Sequence, residues 1–341
     1  LCLPSQALPG RVLWQEQLRR AVMSKDSALI FDIYRGTSHD GPGQRDTVFF
    51  KGCPLSCKWC HNPEGISAEP LVWWQSRQCI GCLICHNTCK HGANIAAEDG
   101  IHIDRSKCVR CGECVKACPS QALSMCGERR GLDGLIEELL KDKVYYSQTS
   151  GGVTASGGEA MLQYEFVSEM FKRLHEKGIS TALDTCGYAP REHFEKILPH
   201  TDYILYDLKL IDSEQHKHFT GVNNELILEN ISWISKKIRD KELNCELWIR
   251  TPLIPDATAT VDNLQGIGKF IDDELGEAAV ARWELCAFNN SCITKYQRLD
   301  KAWSYEKYHA LKKHRAEELR MAASAGGFDG DKIFVTGILS D

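Results

Sequence analysis

Met161, Leu162, Phe166, Met170, Phe171 and Leu174 recur at three- and four-residue spacing between positions 160 and 177, with charged residues between them. That period puts the large side chains on one face of a helix, where they form core. Amphipathic stretches of the same kind run near 132–142, 190–198, 225–240 and 261–274. They alternate with short apolar runs at 47–52, 151–156, 180–184, 202–207, 244–250 and 282–287, which read as strands. An earlier run, "ALIFDIY" (28–34), and a late one, "KIFVTGIL" (332–339), are also strand-like, and 306–323 reads as helix. Strands separated by helices predict βαβ units and a parallel sheet. Six such units make a partial or closed α/β barrel, and a doubly wound open sheet is the competing architecture.

The polar motifs favour the barrel. A loop with Cys53, Cys57 and Cys60 follows the first barrel strand, "SGGE" the second and "DTCG" the third. "DLK" closes the fourth, Arg250 the fifth, and "FNN" comes just after the sixth. In α/β barrels the C-terminal strand edge is where active sites are assembled, so six strand ends point at one place.

Composition narrows the setting. The chain has 341 residues and a net charge of −5, which calls for neither nucleic acid nor an anionic membrane surface. It holds no apolar run long enough to span a bilayer. Residues 1–22 include Arg11, Glu16, Arg19 and Arg20 without a continuous apolar stretch, so they read as an extension and a poor secretory signal. Seventeen cysteines, most of them in tight CxxC spacings, indicate metal thiolates in a reducing compartment, and the expected location is the cytoplasm.

Cys79, Cys82, Cys85 and Cys89 follow the spacing C-x2-C-x2-C-x3-C, and Cys108, Cys111, Cys114 and Cys118 repeat it at an offset of 29 residues. This is the spacing of bacterial two-cluster ferredoxins, in which the fourth cysteine of each run crosses to the other cluster. The expected ligand sets are therefore Cys79, Cys82 and Cys85 with Cys118, and Cys108, Cys111 and Cys114 with Cys89. Pro119 follows Cys118 as that pattern wants, whereas Lys90 stands where the first run would have its proline. A pair of zinc knuckles fits less well, because those use two CxxC pairs across a long spacer. The expected organisation is an extension (1–22), a first barrel segment (23–74), a ferredoxin-like insert (75–126), and the rest of the barrel with a C-terminal segment (127–341). Cys2, Cys126, Cys186, Cys245, Cys286 and Cys292 remain and read as core or incidental thiols.

Three local cysteines without a fourth describe a metal site left open at one position. Cys53-x3-Cys57-x2-Cys60 is the signature of radical S-adenosylmethionine (SAM) enzymes. With "HDGPGQR" (39–45), "KGCPLSCKWCHNPE" (51–64) and "TASGGEA" (154–160), the chain resembles the glycyl-radical-enzyme activating enzymes, the group typified by the pyruvate formate-lyase activator. The resemblance runs from about residue 28 to 300, and the insert matches the larger subgroup of that family. It implies a partial (β/α)6 radical-SAM barrel carrying an inserted two-[4Fe–4S] domain.

The resemblance also assigns roles. Cys53, Cys57 and Cys60 would bind three irons of a catalytic [4Fe–4S] cluster, giving three clusters in all, and SAM would chelate the fourth iron. Trp59 and His61 would lie by the adenine, with packing under the loop the alternative for Trp59. Gly157, Gly158 and Glu159 would approach the methionine amino group, and Asp207 and Lys209 its carboxylate. Asp184 and Thr185 resemble the family's monovalent-cation ligands, though "LDT" is also ordinary turn chemistry. Arg250 would stand near the cofactor or the docked peptide, unless it is a buried salt bridge. Asn289 occupies a position where many relatives have a histidine. "HDGPGQR" would border the entrance, or serve only as a tight turn. The implied substrate is a glycine of a partner glycyl-radical enzyme, and the implied electron donor a flavodoxin or ferredoxin. The alternatives are a radical SAM enzyme acting on a small molecule or another protein, and a pure electron carrier. The latter leaves Cys53, Cys57 and Cys60 unexplained.

Overall fold

The structure is a computed structural model, and it describes residues 24–341; the expected extension (1–22) lies outside the described residues. Among the described residues the first elements are β1 (Ser27–Thr37) and β2 (Arg45–Phe50), followed by β3 (Leu71–Trp74). Next come α1 (Ile84–Thr88), β4 (Asn94–Ala97), β5 (Gly100–Ile103), α2 (Glu113–Ala117), β6 (Leu123–Cys126) and β7 (Glu128–Gly131). The remainder alternates helices with strands: α3 (Leu132–Leu139), α4 (Lys143–Thr149), β8 (Gly152–Gly157), α5 (Tyr164–Glu176), β9 (Ser180–Thr185) and α6 (Arg191–Ile197). It continues through β10 (Tyr203–Asp207), α7 (Ser213–Thr220), α8 (Glu225–Arg239), β11 (Glu246–Leu253), α9 (Val261–Phe270) and β12 (Val280–Ala287). It ends with α10 (Ile293–Arg298), α11 (Lys313–Ser324) and β13 (Ile333–Thr336).

Among the described residues nine strands form one sheet in the order β13-β12-β11-β10-β9-β8-β2-β1-β7. From β2 through β8 to β13 every neighbouring pair is parallel, while β1 pairs antiparallel with β2 and β7. The parallel order rises without reversal. A doubly wound sheet needs a reversal point, so the barrel-type reading holds over its competitor. Right-handed crossovers that all advance one way put their helices on one face and curl the sheet. The sheet is larger than the six expected strands, because β13 adds a seventh parallel strand and β1 and β7 extend the other edge.

The core lies between sheet and helices. Phe166, Val167, Met170, Phe171 and Leu174 of α5 are fully buried, as the period demanded. The expected helix at 306–323 is helical only from Lys313. Ahead of it, Trp303 and Tyr305 are buried and pack on Phe288, so aromatic burial overrides helical propensity there.

The insert stands apart from the large sheet. β3 pairs antiparallel with β6, Leu71 opposite Cys126 and Trp74 opposite Leu123, and β4 pairs with β5. Leu71–Trp74 thus belongs with the insert, ahead of the expected boundary at 75. A small core of Val72, Cys85, Ile101, Ile103, Cys114 and Leu123 holds this unit together.

Candidate active site

The strand ends meet as the motifs suggested. A cavity of about 510 Å³ at the C-terminal edge of the sheet is lined by Cys53, Cys57 and Cys60 and by residues from β8 to β13. Trp59, His61, Gly157, Gly158, Glu159, Asp184, Thr185, Asp207, Lys209, Arg250 and Asn289 all border it, and so does His39 from the glycine-rich loop. Its apolar wall includes Leu55, Ile254, Phe288 and Ile338.

The cysteine loop is shaped by backbone bonds. Gly52 N–H donates to Gly65 O (2.7 Å) and Cys53 N–H to Ile66 O (3.0 Å), so residues 52–66 close on themselves. Ser56 and Lys58 N–H groups bond the carbonyls of Thr220 and Phe219, tying the loop to α7. "SGGE" buttresses it from below: Gly158 N–H donates to Phe50 O and Glu159 N–H to Gly52 O. A Cβ on Gly158 would lie 2.3 Å from Gly52 O and 2.4 Å from Gly65 O, so only glycine lets β8 approach this closely. The N–H groups of Gly158 and Glu159 are thus committed to the end of β2 and to the loop.

Glu159 is buried, and its carboxylate is also committed. It accepts from Met161 N–H, Cys186 N–H and the Thr185 hydroxyl. Glu159 thus stitches β8 to β9 and positions the "DTCG" turn. Burial raises its pKa above the ordinary glutamate value, against the pull of these donors.

Across the cavity, Arg250 is a hub. Its guanidinium lies 3.2 Å from Asp184, 3.6 Å from Glu284 and 3.9 Å from Asp40. The Ser156 hydroxyl donates to Asp184 at 2.5 Å. Burial raises the Asp184 carboxyl and Arg250 opposes it. Arg250 is thus the buried salt bridge weighed against a cofactor role, while still bordering the cavity. Lys209 pairs with Asp207, so the two do point the same way from the end of β10. Burial disfavours the Lys209 charge, but the adjoining Asp207 carboxylate opposes burial and raises its pKa.

The remaining expected residues are also accounted for. Trp59 is buried against Phe219 and Tyr305 and also borders the cavity. His61 sits edge-on to Phe288 and Trp303, and its Nε2 is buried with no hydrogen-bond partner. Burial, then Lys295, lowers its pKa, which favours a neutral ring. Asn289 Oδ1 accepts from Ser291 N–H and Oγ, within its own turn. Arg45 of "HDGPGQR" is fully buried and donates to Thr154 Oγ1 and to the carbonyls of Pro42, Val153 and Ser180. That motif is a structural strap at its arginine, borders the cavity at His39 and reaches Arg250 through Asp40.

All three loop cysteines are free thiols. Burial pushes Cys57 up to about 12, with Lys209 pulling the other way, and burial raises Cys60 as well. Among the described residues no three His, Cys, Asp or Glu side chains converge as ligands of a single metal ion would. Three free thiols around one polar cavity, beside the Lys209 ammonium, fit a larger inorganic group that binds cysteines as thiolates.

The insert sorts its cysteines by fold. Cys79, Cys82, Cys85 and Cys118 line one hollow, and Cys89, Cys108, Cys111 and Cys114 line another of about 310 Å³. Each hollow draws three thiols from one repeat and the last from the other. In each, one thiol is raised by burial, Cys85 in the first and Cys114 in the second. One is lowered, Cys118 and Cys89 respectively, where hydrogen-bond donors outweigh burial.

Sequence reasoning missed several contributors to the barrel site. Cys186 and Cys286 line the cavity, and Thr336, Gly337 and Ile338 reach it from the end of β13. The "DTCG" motif contained the signal for Cys186; nothing local marked the others.

Residues 47–260 match the Radical SAM superfamily. The chain is 37% identical over 285 residues to the indoleacetate decarboxylase activating enzyme of Tractidigestivibacter scatoligenes, covering 81% of this chain and 87% of that protein. It is 36% identical over 302 residues to the trans-4-hydroxy-L-proline dehydratase activating enzyme of Clostridioides difficile, covering 88% and 97%. Among solved structures, a radical SAM methyltransferase from Sphaerobacter thermophilus shares the fold with a TM-score of 0.50 at 11% identity, covering 91% of this chain and 73% of that one.

Proposed function

Because the chain belongs to the radical SAM superfamily, and within it to the glycyl-radical-enzyme activating enzymes, we propose that its barrel cavity is where SAM is cleaved and a partner's glycine loses hydrogen. Bound in such a site, a [4Fe–4S] cluster supplies the electron that splits SAM into methionine and a 5′-deoxyadenosyl radical, which takes hydrogen from the glycine. The chain's own residues do the rest. Cys53, Cys57 and Cys60 would hold the cluster as thiolates, and their number leaves one iron for the amino and carboxylate groups of SAM. Lys209, already charged through Asp207, suits that carboxylate. Neutral His61, with its free Nε2, and Trp59 suit the adenine side. Leu55, Ile254 and Phe288 keep water from the reacting carbon.

The observation that carries this reading is the convergence of three free thiols with the polar ends of five strands on one cavity. A partner loop must enter from the open side to bring its glycine within reach, so the complex with the partner is transient. Similar identity to activators of a decarboxylase and of a dehydratase argues that the shared barrel does not select the partner.

The insert is read as a domain with two further [4Fe–4S] clusters, three in all, held by the two crossed cysteine sets. They would pass electrons from a flavodoxin- or ferredoxin-type donor to the barrel, and their thiol chemistry supports a reducing cytoplasmic setting. A monovalent cation at Asp184 and Thr185 would have to share Asp184 with Arg250, and the Thr185 hydroxyl already bonds Glu159.

The experiment is anaerobic. Reduced, iron-loaded protein and SAM are added to a lysate of the source organism, and organic radicals are sought by electron paramagnetic resonance (EPR). An aliquot is then exposed to air, which cuts a glycyl-radical protein at the radical. A doublet with one newly shortened protein is the expected result. Deoxyadenosine with neither doublet nor fragment would shift the reading to a small-molecule or other protein target.

A further inference from the structure

The insert and the cysteine loop meet at α10. This helix has only six residues, too few to be stable unaided. On one side it grips the loop: Tyr296 OH donates to Cys60 O (2.9 Å), and Lys295 Nζ bonds Asn62 Oδ1 (2.7 Å) and the buried Glu64 (2.8 Å). At its C-terminal end the last carbonyls need donors. Arg105, from the insert, supplies them, with Nε bonding Leu299 O (3.1 Å) and Nη2 bonding Arg298 O (3.3 Å). The third arm of the same guanidinium, Nη1, holds Val72 O of β3 (3.0 Å). A cation at a helix C-terminus is favourable, and the planar guanidinium spreads its donors over three nitrogens, one for each of these carbonyls. Val72 lines the Cys89–Cys108–Cys111–Cys114 hollow, and Arg105 lies three residues before Cys108.

We propose that α10 is a strut that couples the insert to the catalytic cysteine loop, with Arg105 as the positioning residue that caps it from the insert side. Loss of the cap frays the helix, and Tyr296 and Lys295 then release Cys60, Asn62 and Glu64. The coupling works in both directions, as any such linkage must. It gives the insert a second task beside electron transfer, that of holding the barrel's third ligand in place. The inference rests on the reading of Cys60 as a ligand of the barrel cluster.

The test compares the iron-loaded parent with Arg105→Ala by hydrogen–deuterium exchange and by EPR of the reduced barrel cluster with and without SAM. The amides of Cys60 and Gly65 donate to Cys57 O and Asn62 O, so they report on the loop. Their exchange is expected to rise about tenfold in the variant, with an altered cluster signal. Loosening confined to Arg298 and Leu299, with Cys60, Gly65 and the signal unchanged, would overturn the proposal. If Arg105→Ala loses insert iron, Tyr296→Phe decides from the barrel side. Faster exchange at Lys107 and Cys108, whose amides bond Asp104 O, is then expected, and unchanged exchange there overturns the strut. Iron analysis keeps the underlying reading separate. An unmodified chain holding only about four irons would refute the accessory clusters, while the exchange data would still decide the strut.

Discussion

The barrel cavity and the insert both gather cysteines, but they do so by opposite means. In the insert, eight thiols come from two copies of one short pattern, and Cys82 and Cys111 are exposed. In the barrel, three thiols come from one loop, and the polar groups around them arrive singly from strand ends spread over most of the chain. The insert is thus a local design with one exposed thiol in each set, which on the proposed reading suits it to exchanging electrons. The barrel is a distributed design with its charges paired around one cavity, which on the proposed reading suits it to holding a reactive species. The difference teaches where each region should be fragile: the insert at its ligands alone, the barrel at its supports as well.

The largest contrast is between ligands. Cys60→Ala should abolish SAM cleavage with any reductant, measured as 5′-deoxyadenosine. Cys111→Ala should lose about four irons yet retain cleavage when a strong chemical reductant replaces the protein donor. Loss of both activities in Cys111→Ala would break the comparison.

The supports come next. Arg250→Met leaves Asp40, Asp184 and Glu284 facing one another without their shared cation. Removing one partner of a buried ionic network costs about 3 kcal/mol, so the anaerobic urea midpoint should fall clearly. Gly187→Ala tests the "DTCG" turn. Its φ is +73°, and a Cβ there would lie 1.9 Å from the Tyr206 hydroxyl. A loss of about 2 kcal/mol is expected, as for other overpacked cores. A neutral result for either would mean that the cavity wall tolerates rearrangement.

The smallest effect is in pH. His216 of α7 is buried, with a pKa lowered to about 4 by desolvation from an ordinary 6.5, and its Nδ1–H donates to Val222 O (2.7 Å). The unfolded ring takes up a proton at higher pH than the folded ring, so acid favours unfolding. Its stability contribution should be complete above pH 6.5 and decline as pH falls toward 4, at up to ~1.4 kcal/mol per pH unit. His216→Gln should flatten that part of the stability–pH curve, measured by urea denaturation.

These contrasts also explain what the sequence disclosed. The crossed cysteine sets were legible because a repeated spacing is local information, and the strand-end motifs because each glycine or charge ends an apolar run. Arg105 and Tyr296 were not legible. Their roles come from contacts between segments far apart in the chain, and a lone Arg or Tyr carries no period or spacing. β13 was read as a strand but not as the seventh member of the sheet, since pairing with β12 is a tertiary fact. The helix expected at 306–323 failed over its first turns because Trp303 and Tyr305 gain more by burial on Phe288 than that segment gains from helix formation.

The proposed division of labour between the two regions is tested most directly by removing one thiol from each insert set at once, with Cys82→Ala and Cys111→Ala in one chain. SAM cleavage would then be measured with a chemical reductant and with a flavodoxin or ferredoxin donor. Activity kept with the chemical reductant and lost with the protein donor is the predicted result. Activity unchanged with both would contradict a relay, and activity lost with both would make the insert part of the catalytic centre itself.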